Sequence, residues 1–356
     1  MVDHAEDCRD PYMQKILNIA VRYLLPLALT VLLVTYMFKK VNFSEMWDLI
    51  KHGVDYWWII LAMVISVFSH VFRAARWRLQ LDALGIRPPF MALCCSIFGC
   101  YALNLVFPRL GEVWRCTYIA SSEKASFTSV LGSMIGDRLA DTLMVLLLLL
   151  LCLVVAAPAL EAFMTKYPVG RDLVALIGEW WFWAAIVGGV ILVWVLLRVF
   201  RDTKVVEKLK GMALNMWEGF SVVARMKGRW QFLILTLCIW GCYFTQLYVA
   251  FYAFGFTRAL CHEPGLAAGL TPCLVAFVLS SIGMAIPSNG GLGPWNLAVM
   301  FGLAIYGISD AEGTAFSMLQ WSGQTVMLII LGIYTMVYIS LRKKETKSAA
   351  PTSRSF

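Results

Sequence analysis

Two stretches decide how this chain folds: Asn104-Leu-Val-Phe-Pro-Arg-Leu-Gly-Glu112 and Ile286-Pro-Ser-Asn-Gly-Gly-Leu-Gly-Pro-Trp-Asn296. Each sets proline and glycine, both helix breakers, beside an apolar segment too short or too broken for an ordinary membrane crossing. Paired breaks in the two halves of a membrane chain point to the binding region of a transporter. The first break also carries Arg109, Glu112 and Arg115, charges that are costly in hydrocarbon and so mark a pathway or site. Pro108 and Gly111 in the first break, and Pro287 and Pro294 in the second, are the expected hinge points.

Working outward, the 356-residue chain is 60% hydrophobic and only 15% charged, with a mean hydropathy of +0.73. That is too apolar for a soluble fold of this size. The apolar runs are long rather than alternating with period two, and backbone polar groups must be satisfied internally in lipid, so helices are required and a β-barrel is excluded. The expectation is an all-α polytopic membrane protein forming one integral membrane domain over 1–356, with about six full spans plus two broken re-entrant hairpins in an inverted repeat. The full spans fall near Leu17 to Phe38, Trp57 to Phe72, Leu139 to Ala157, Trp180 to Phe200, Phe232 to Phe254 and Ala315 to Leu341. Phe90 to Phe107 and Leu266 to Ile286 run into the breaks, followed by Val113 to Ala120 and Trp295 to Tyr306.

The net charge of +8 is spread between apolar spans rather than gathered in one basic domain, which argues for membrane topology and against a nucleic-acid partner. Positive-inside counting puts Arg73, Arg76, Arg78, Arg87, Lys124, the basic loop 201–229 and the tail 342–356 in the cytoplasm. Pro158 to Glu179 and the flanks of the second hairpin then fall outside. The halves, about 57–157 and 232–341, acquire opposite topology if the first hairpin enters from the cytoplasm and the second from outside. Lys39, Lys40 and Lys51 fall outside in this arrangement, offset by Glu45, Asp48 and Asp55. The N-terminal apolar run lacks a small-residue cleavage site and reads as a retained span. Lys204 to Val223 has helical apolar spacing and reads equally as a membrane-surface helix or as a linker helix on the bundle. The ten cysteines have no metal spacing and read as small packing residues.

Three sets of residues are candidates for lipid recognition. Arg73, Arg76 and Trp77 share one helical face, where guanidiniums either bind a headgroup phosphate or simply set topology. Asp137, Arg138 and Asp141 open an apolar span, with both carboxylates on one face; they either pair with Arg109 or Arg115 in a site or form a structural ion network. Gly290, Gly291 and Gly293 either free backbone amides for an anion or let helices pack closely. No nucleotide loop, metal motif or catalytic triad is visible, so no cofactor, metal or catalytic residue is expected.

These residues together resemble a known family. Arg73-Ala-Ala-Arg76-Trp77, Asn104-x-x-x-Pro108-x-x-Gly111-Glu112-x-x-Arg115, Asp137-Arg138-x-x-Asp141 and Pro287-x-x-Gly290-Gly291-x-Gly293 follow the order seen in the transmembrane region of lysylphosphatidylglycerol synthases and their stand-alone flippase-like relatives. Two positions depart from that pattern: Asp137 stands where Glu is frequent, and Asn296 where an acidic residue often follows the glycines. The resemblance implies a flippase-like fold that moves a phosphate-bearing lipid between leaflets of a bacterial plasma membrane. With only a short tail after Leu341, the chain is not expected to synthesise the lipid. The alternatives are a membrane-embedded lipid-modifying enzyme using Glu112 or Asp137 as acid or base, and a non-transporting membrane partner of a cytosolic lipid- or glycan-modifying enzyme.

Overall fold

A computed structural model describes residues 43–158 and 228–348, with a few isolated positions outside them. Every regular element among the described residues is helical. The α-helices are α1 (Phe43–His52), α2 (Tyr56–Ala83), α3 (Phe90–Val106), α4 (Leu110–Ser122), α5 (Phe127–Val155), α6 (Arg229–Ala250), α7 (Gly255–Leu260), α8 (Leu270–Gly283), α9 (Pro294–Ala304) and α10 (Asp310–Ser348), with single 3-10 turns at Phe251–Ala253 and Asn289–Gly291. Four of the described helices are long and apolar enough to cross a membrane: Tyr56–Ala83, Phe127–Val155, Arg229–Ala253 and Asp310–Arg342. They coincide with four of the expected spans. The expected spans near Leu17 to Phe38 and Trp180 to Phe200, most of the loop Pro158 to Glu179, the basic loop and its Lys204 to Val223 helix, and the end of the tail lie outside the described residues.

Side-chain exposure shows what these helices face. On α2, Trp57, Ile60, Val64 and Phe68 form one exposed stripe; on α5, Leu143, Leu146, Leu147, Leu150 and Val154 form another; on α10, Val326, Ile330, Ile333 and Val337 continue the pattern. A water-soluble helix would turn a polar stripe outward, so these large apolar stripes identify the exposed faces as lipid-facing. The chain is an integral membrane protein.

Several of the described helices extend past their expected ends, α2 and α5 furthest at one end. α2 continues from Phe72 to Ala83, carrying Arg73, Arg76 and Arg78 as helical residues, and α5 starts at Phe127, well before Leu139. Charge marks the edge of an apolar window but does not end a helix. By contrast α3, with 17 residues, and α8, with 14, rise only roughly 25 and 21 Å, short of the about 30 Å of hydrocarbon.

The chain divides into two compact units, each assembled from discontinuous segments. Of the continuously described segments, the first comprises residues 43–70, 94–115 and 242–348. In it, Asp55 N donates to Ala253 O at 2.8 Å, and Phe251 and Phe254 meet Phe316 edge-on or tilted. Ser66 Oγ donates to Gln324 Oε1 at 3.0 Å, and Thr335 Oγ1 to Cys95 O at 3.2 Å, tying α2 and α3 to α10. Of the continuously described segments, the second unit comprises 71–93, 116–158 and 228–241. Its centre is ionic. The cysteines of the described segments are free and mostly buried, in keeping with a packing role.

Candidate functional site

In the second unit, Arg73 and Arg76 lie three residues apart on α2, and Asp137 and Asp141 lie four apart on α5. Each pair therefore presents both charges on one helical face. Arg76 Nε donates to Asp137 Oδ1 at 2.8 Å and its Nη2 to Asp141 Oδ1 at 2.8 Å. Arg73 Nη1 donates to Asp137 Oδ2 at 3.2 Å and to Asp141 Oδ2 at 2.7 Å. All four carboxylate oxygens thus accept from these two guanidiniums, and two positive charges meet two negative ones. Arg76 and Asp137 are both 0% exposed. The third helix joins through Thr236 of α6, whose Oγ1 accepts from Arg76 Nη1 at 3.1 Å, while the Phe232 ring lies 5.3 Å from the same guanidinium. Trp77 is buried, its Nε1 donating to Ser133 Oγ at 2.9 Å.

This arrangement differs from the pairing expected from sequence, which set Asp137 and Asp141 against Arg109 or Arg115. The carboxylates are held by Arg73 and Arg76. Arg138, between them on α5, is half-buried, and Arg78 lies outside the network, its side chain 3.7 Å from Asp82. Thr236, Ser133 and Phe232 belong to the cluster but carried no sequence signal, because a lone hydroxyl or ring inside an apolar span is indistinguishable from ordinary packing.

In the first unit the two breaks are built differently. α3 and α4 are joined by the short turn Phe107-Pro108-Arg109, in which Arg109 takes a left-handed φ of 63°. α4 packs back against α3 so closely that a Cβ on Gly111 would run into the Cys100 carbonyl. Asn104 on α3 bridges the two helices of the hairpin: its Oδ1 accepts from Gly111 N at 2.9 Å and its Nδ2 donates to Glu112 Oε2 at 3.2 Å. This caps the start of α4 from the neighbouring helix. Glu112 is half-buried, Arg115 buried and Arg109 exposed.

The second break runs from Gly283 to Pro294, with Gly290, Gly291 and Gly293 all at positive φ. α8 and α9 also form an antiparallel hairpin; a Cβ on Gly302 would come within 2.7 Å of Ala276 Cα. Asn296, buried on α9, accepts from Gly293 N through Oδ1 at 3.1 Å. The neutral side chain at this position therefore serves as a helix cap and occupies one amide that the sequence reading offered to an anion. Pro294 is buried at the start of α9, whereas Pro287 is exposed. Trp321 Nε1 on α10 donates to Gly290 O at 2.9 Å and pins the break from behind.

The two breaks meet. Arg109 Nη2 donates to Ala285 O at 3.3 Å, and Asn289 Nδ2 donates to Val106 O at 3.1 Å. Gly290 sits against Leu105, where a Cβ would lie 2.6 Å from Leu105 Cδ2. Around this junction Val106, Phe107, Met284 and Ile286 are exposed. Asn289 lay within the quoted stretch, yet nothing in its sequence context separates it from an ordinary turn residue.

Lipid-facing helices combined with two glycine- and proline-broken hairpins that touch at their tips define a polytopic helical membrane protein. The family model of the lysylphosphatidylglycerol synthase TM region matches residues 23–332, and the chain belongs to that family, a membrane domain of the flippase-like group. No curated protein and no solved structure matches the chain.

Proposed function

We propose that the protein moves a phosphate-bearing lipid between the leaflets of a bacterial plasma membrane, with the headgroup handled at the junction of the two broken hairpins and the acyl chains left in lipid. One observation carries this reading: Arg109 presents an exposed guanidinium where the hairpin tips meet, beside the exposed apolar side chains Val106, Phe107, Met284 and Ile286. A cation set among apolar groups matches an amphiphile with an anionic head. Arg73 and Arg76 already have carboxylate partners, so Arg109 takes the headgroup and the Arg73/Arg76 cluster holds the helices. In this reading both hairpins are re-entrant from opposite sides, which their short helices support, and one half rocks against the other. No covalent step is assigned to the protein.

The test is a proteoliposome assay with a headgroup-labelled phospholipid. Wild type is expected to change the fraction of label reached by an outside quencher while the lipid mass stays constant. Folded Arg109→Ala protein should do so at least about tenfold more slowly, given the strength of a charge-assisted contact. A change in lipid mass without redistribution would instead indicate an enzyme. Neither effect across a broad lipid panel would indicate a membrane partner of a lipid- or glycan-modifying enzyme.

A further inference from the structure

We propose that Arg109 and Asn289 form a latch between the hairpin tips that a lipid phosphate opens, a mechanism that rests on the translocator reading above. Their two bonds run in opposite directions: Arg109 of the first break donates to Ala285 O of the second, and Asn289 of the second donates to Val106 O of the first. Val106 is the last residue of α3, and its carbonyl is among those a helix leaves unpaired. Each break therefore caps the other when the tips are together.

The latch is weak in a particular way. The Arg109 bond is 3.3 Å long and ends on a neutral carbonyl, while the guanidinium stays exposed to an incoming anion. A phosphate offers two charged oxygens in the geometry of the guanidinium fork, and such charge-assisted bonds are roughly twice as strong as neutral ones. It therefore displaces Ala285 O. Asn289 is then left to hold the tips, yet its own Oδ1 is buried and no donor among the described residues reaches it. That acceptor is satisfied only when the tips part and water or a headgroup hydroxyl or amine arrives. In the latched turn Arg109 also holds a left-handed φ of 63°, a conformation disfavoured for a residue with a side chain.

The latch is tested by the distance between spin labels at Phe107→Cys and Ile286→Cys in a chain whose native cysteines are replaced. Nanodiscs of a phosphate-free galactolipid are compared with the same discs containing phosphatidylglycerol. Photocrosslinking from benzoylphenylalanine at Phe107 to the 284–290 segment reads the same separation if the cysteine-free chain does not fold. Phosphatidylglycerol should lengthen the distance in wild type and leave Arg109→Gln unchanged. Asn289→Ala should lengthen it without any phosphate lipid. A wild-type distance identical in both lipids, or an unaltered Asn289→Ala distance in galactolipid, overturns the latch. Inorganic phosphate opening the tips as readily as the lipid overturns the lipid assignment. Tips that respond without lipid redistribution leave the latch standing and sink the translocator reading, whereas redistribution with unresponsive tips does the reverse.

Discussion

At the scale of single residues, the Arg73, Arg76, Asp137 and Asp141 cluster sets the energetics. Its charges sum to zero, and every carboxylate oxygen has a guanidinium donor, so the burial of four ionisable groups is offset within the cluster. Removing one member leaves an uncompensated charge among buried helices, which typically costs about 3–5 kcal/mol. Asp137→Asn should therefore lower thermal stability in detergent sharply. The paired change Arg76→Met with Asp137→Leu should recover most of that loss, because Arg73 and Asp141 still have each other at 2.7 Å. A double variant no more stable than the single one would show that the cluster does not act as a coupled unit. The sequence made half of this legible. Helical spacing showed that the arginines share a face and that the carboxylates share a face, but periodicity says nothing about which helix lies opposite. The partners were therefore assigned to Arg109 and Arg115 instead of to α2.

At the scale of elements, the breaks were legible because proline and glycine interrupt apolar runs at Pro108, Gly111, Pro287 and Gly290. Their closure was not. It depends on Asn104 reaching across from α3 to the first amides of α4, and on Asn289 and Arg109 reaching between breaks nearly two hundred residues apart in sequence, as their separations of 183 and 176 positions record. Gly111 is the element-level test. Its missing Cβ lets α4 lie directly on the Cys100 carbonyl, so Gly111→Ala must push the two helices apart. Overpacking of this kind costs about 1–3 kcal/mol. Gly241→Ala on α6 is the comparison, since nothing lies within 4 Å of its added methyl. There alanine should be neutral or stabilising by about 1 kcal/mol through helix propensity. Denaturation midpoints of the two variants in one detergent should fall on opposite sides of wild type or at least well apart; similar midpoints would mean that the α3–α4 contact is not close-packed.

At the scale of the whole molecule, composition already decided the class, because a chain with 60% hydrophobic residues cannot hide them all from water. The exposed stripes of α2, α5 and α10 are the structural counterpart of that excess. Topology is set by charge and by helix length. α3 and α8 are too short to cross alone, and the proposed topology therefore has each hairpin return to the side it entered. In that proposal both ends of the first hairpin lie on the positive side, because Arg78 and Arg87 precede it and Lys124 follows it. The second hairpin is followed by Asp310 and Glu312 with no basic residue beside them, and the same proposal sets its ends on the other side. Single cysteines at Lys124 and Asp310, in a cysteine-free chain in intact cells, should therefore react with an impermeant reagent from opposite faces: Asp310→Cys directly, and Lys124→Cys only after the membrane is opened. Equal reactivity from outside would make the first hairpin a full crossing, place the arginines of α2 on the outer face, and end the inverted-repeat reading on which the rocking mechanism depends.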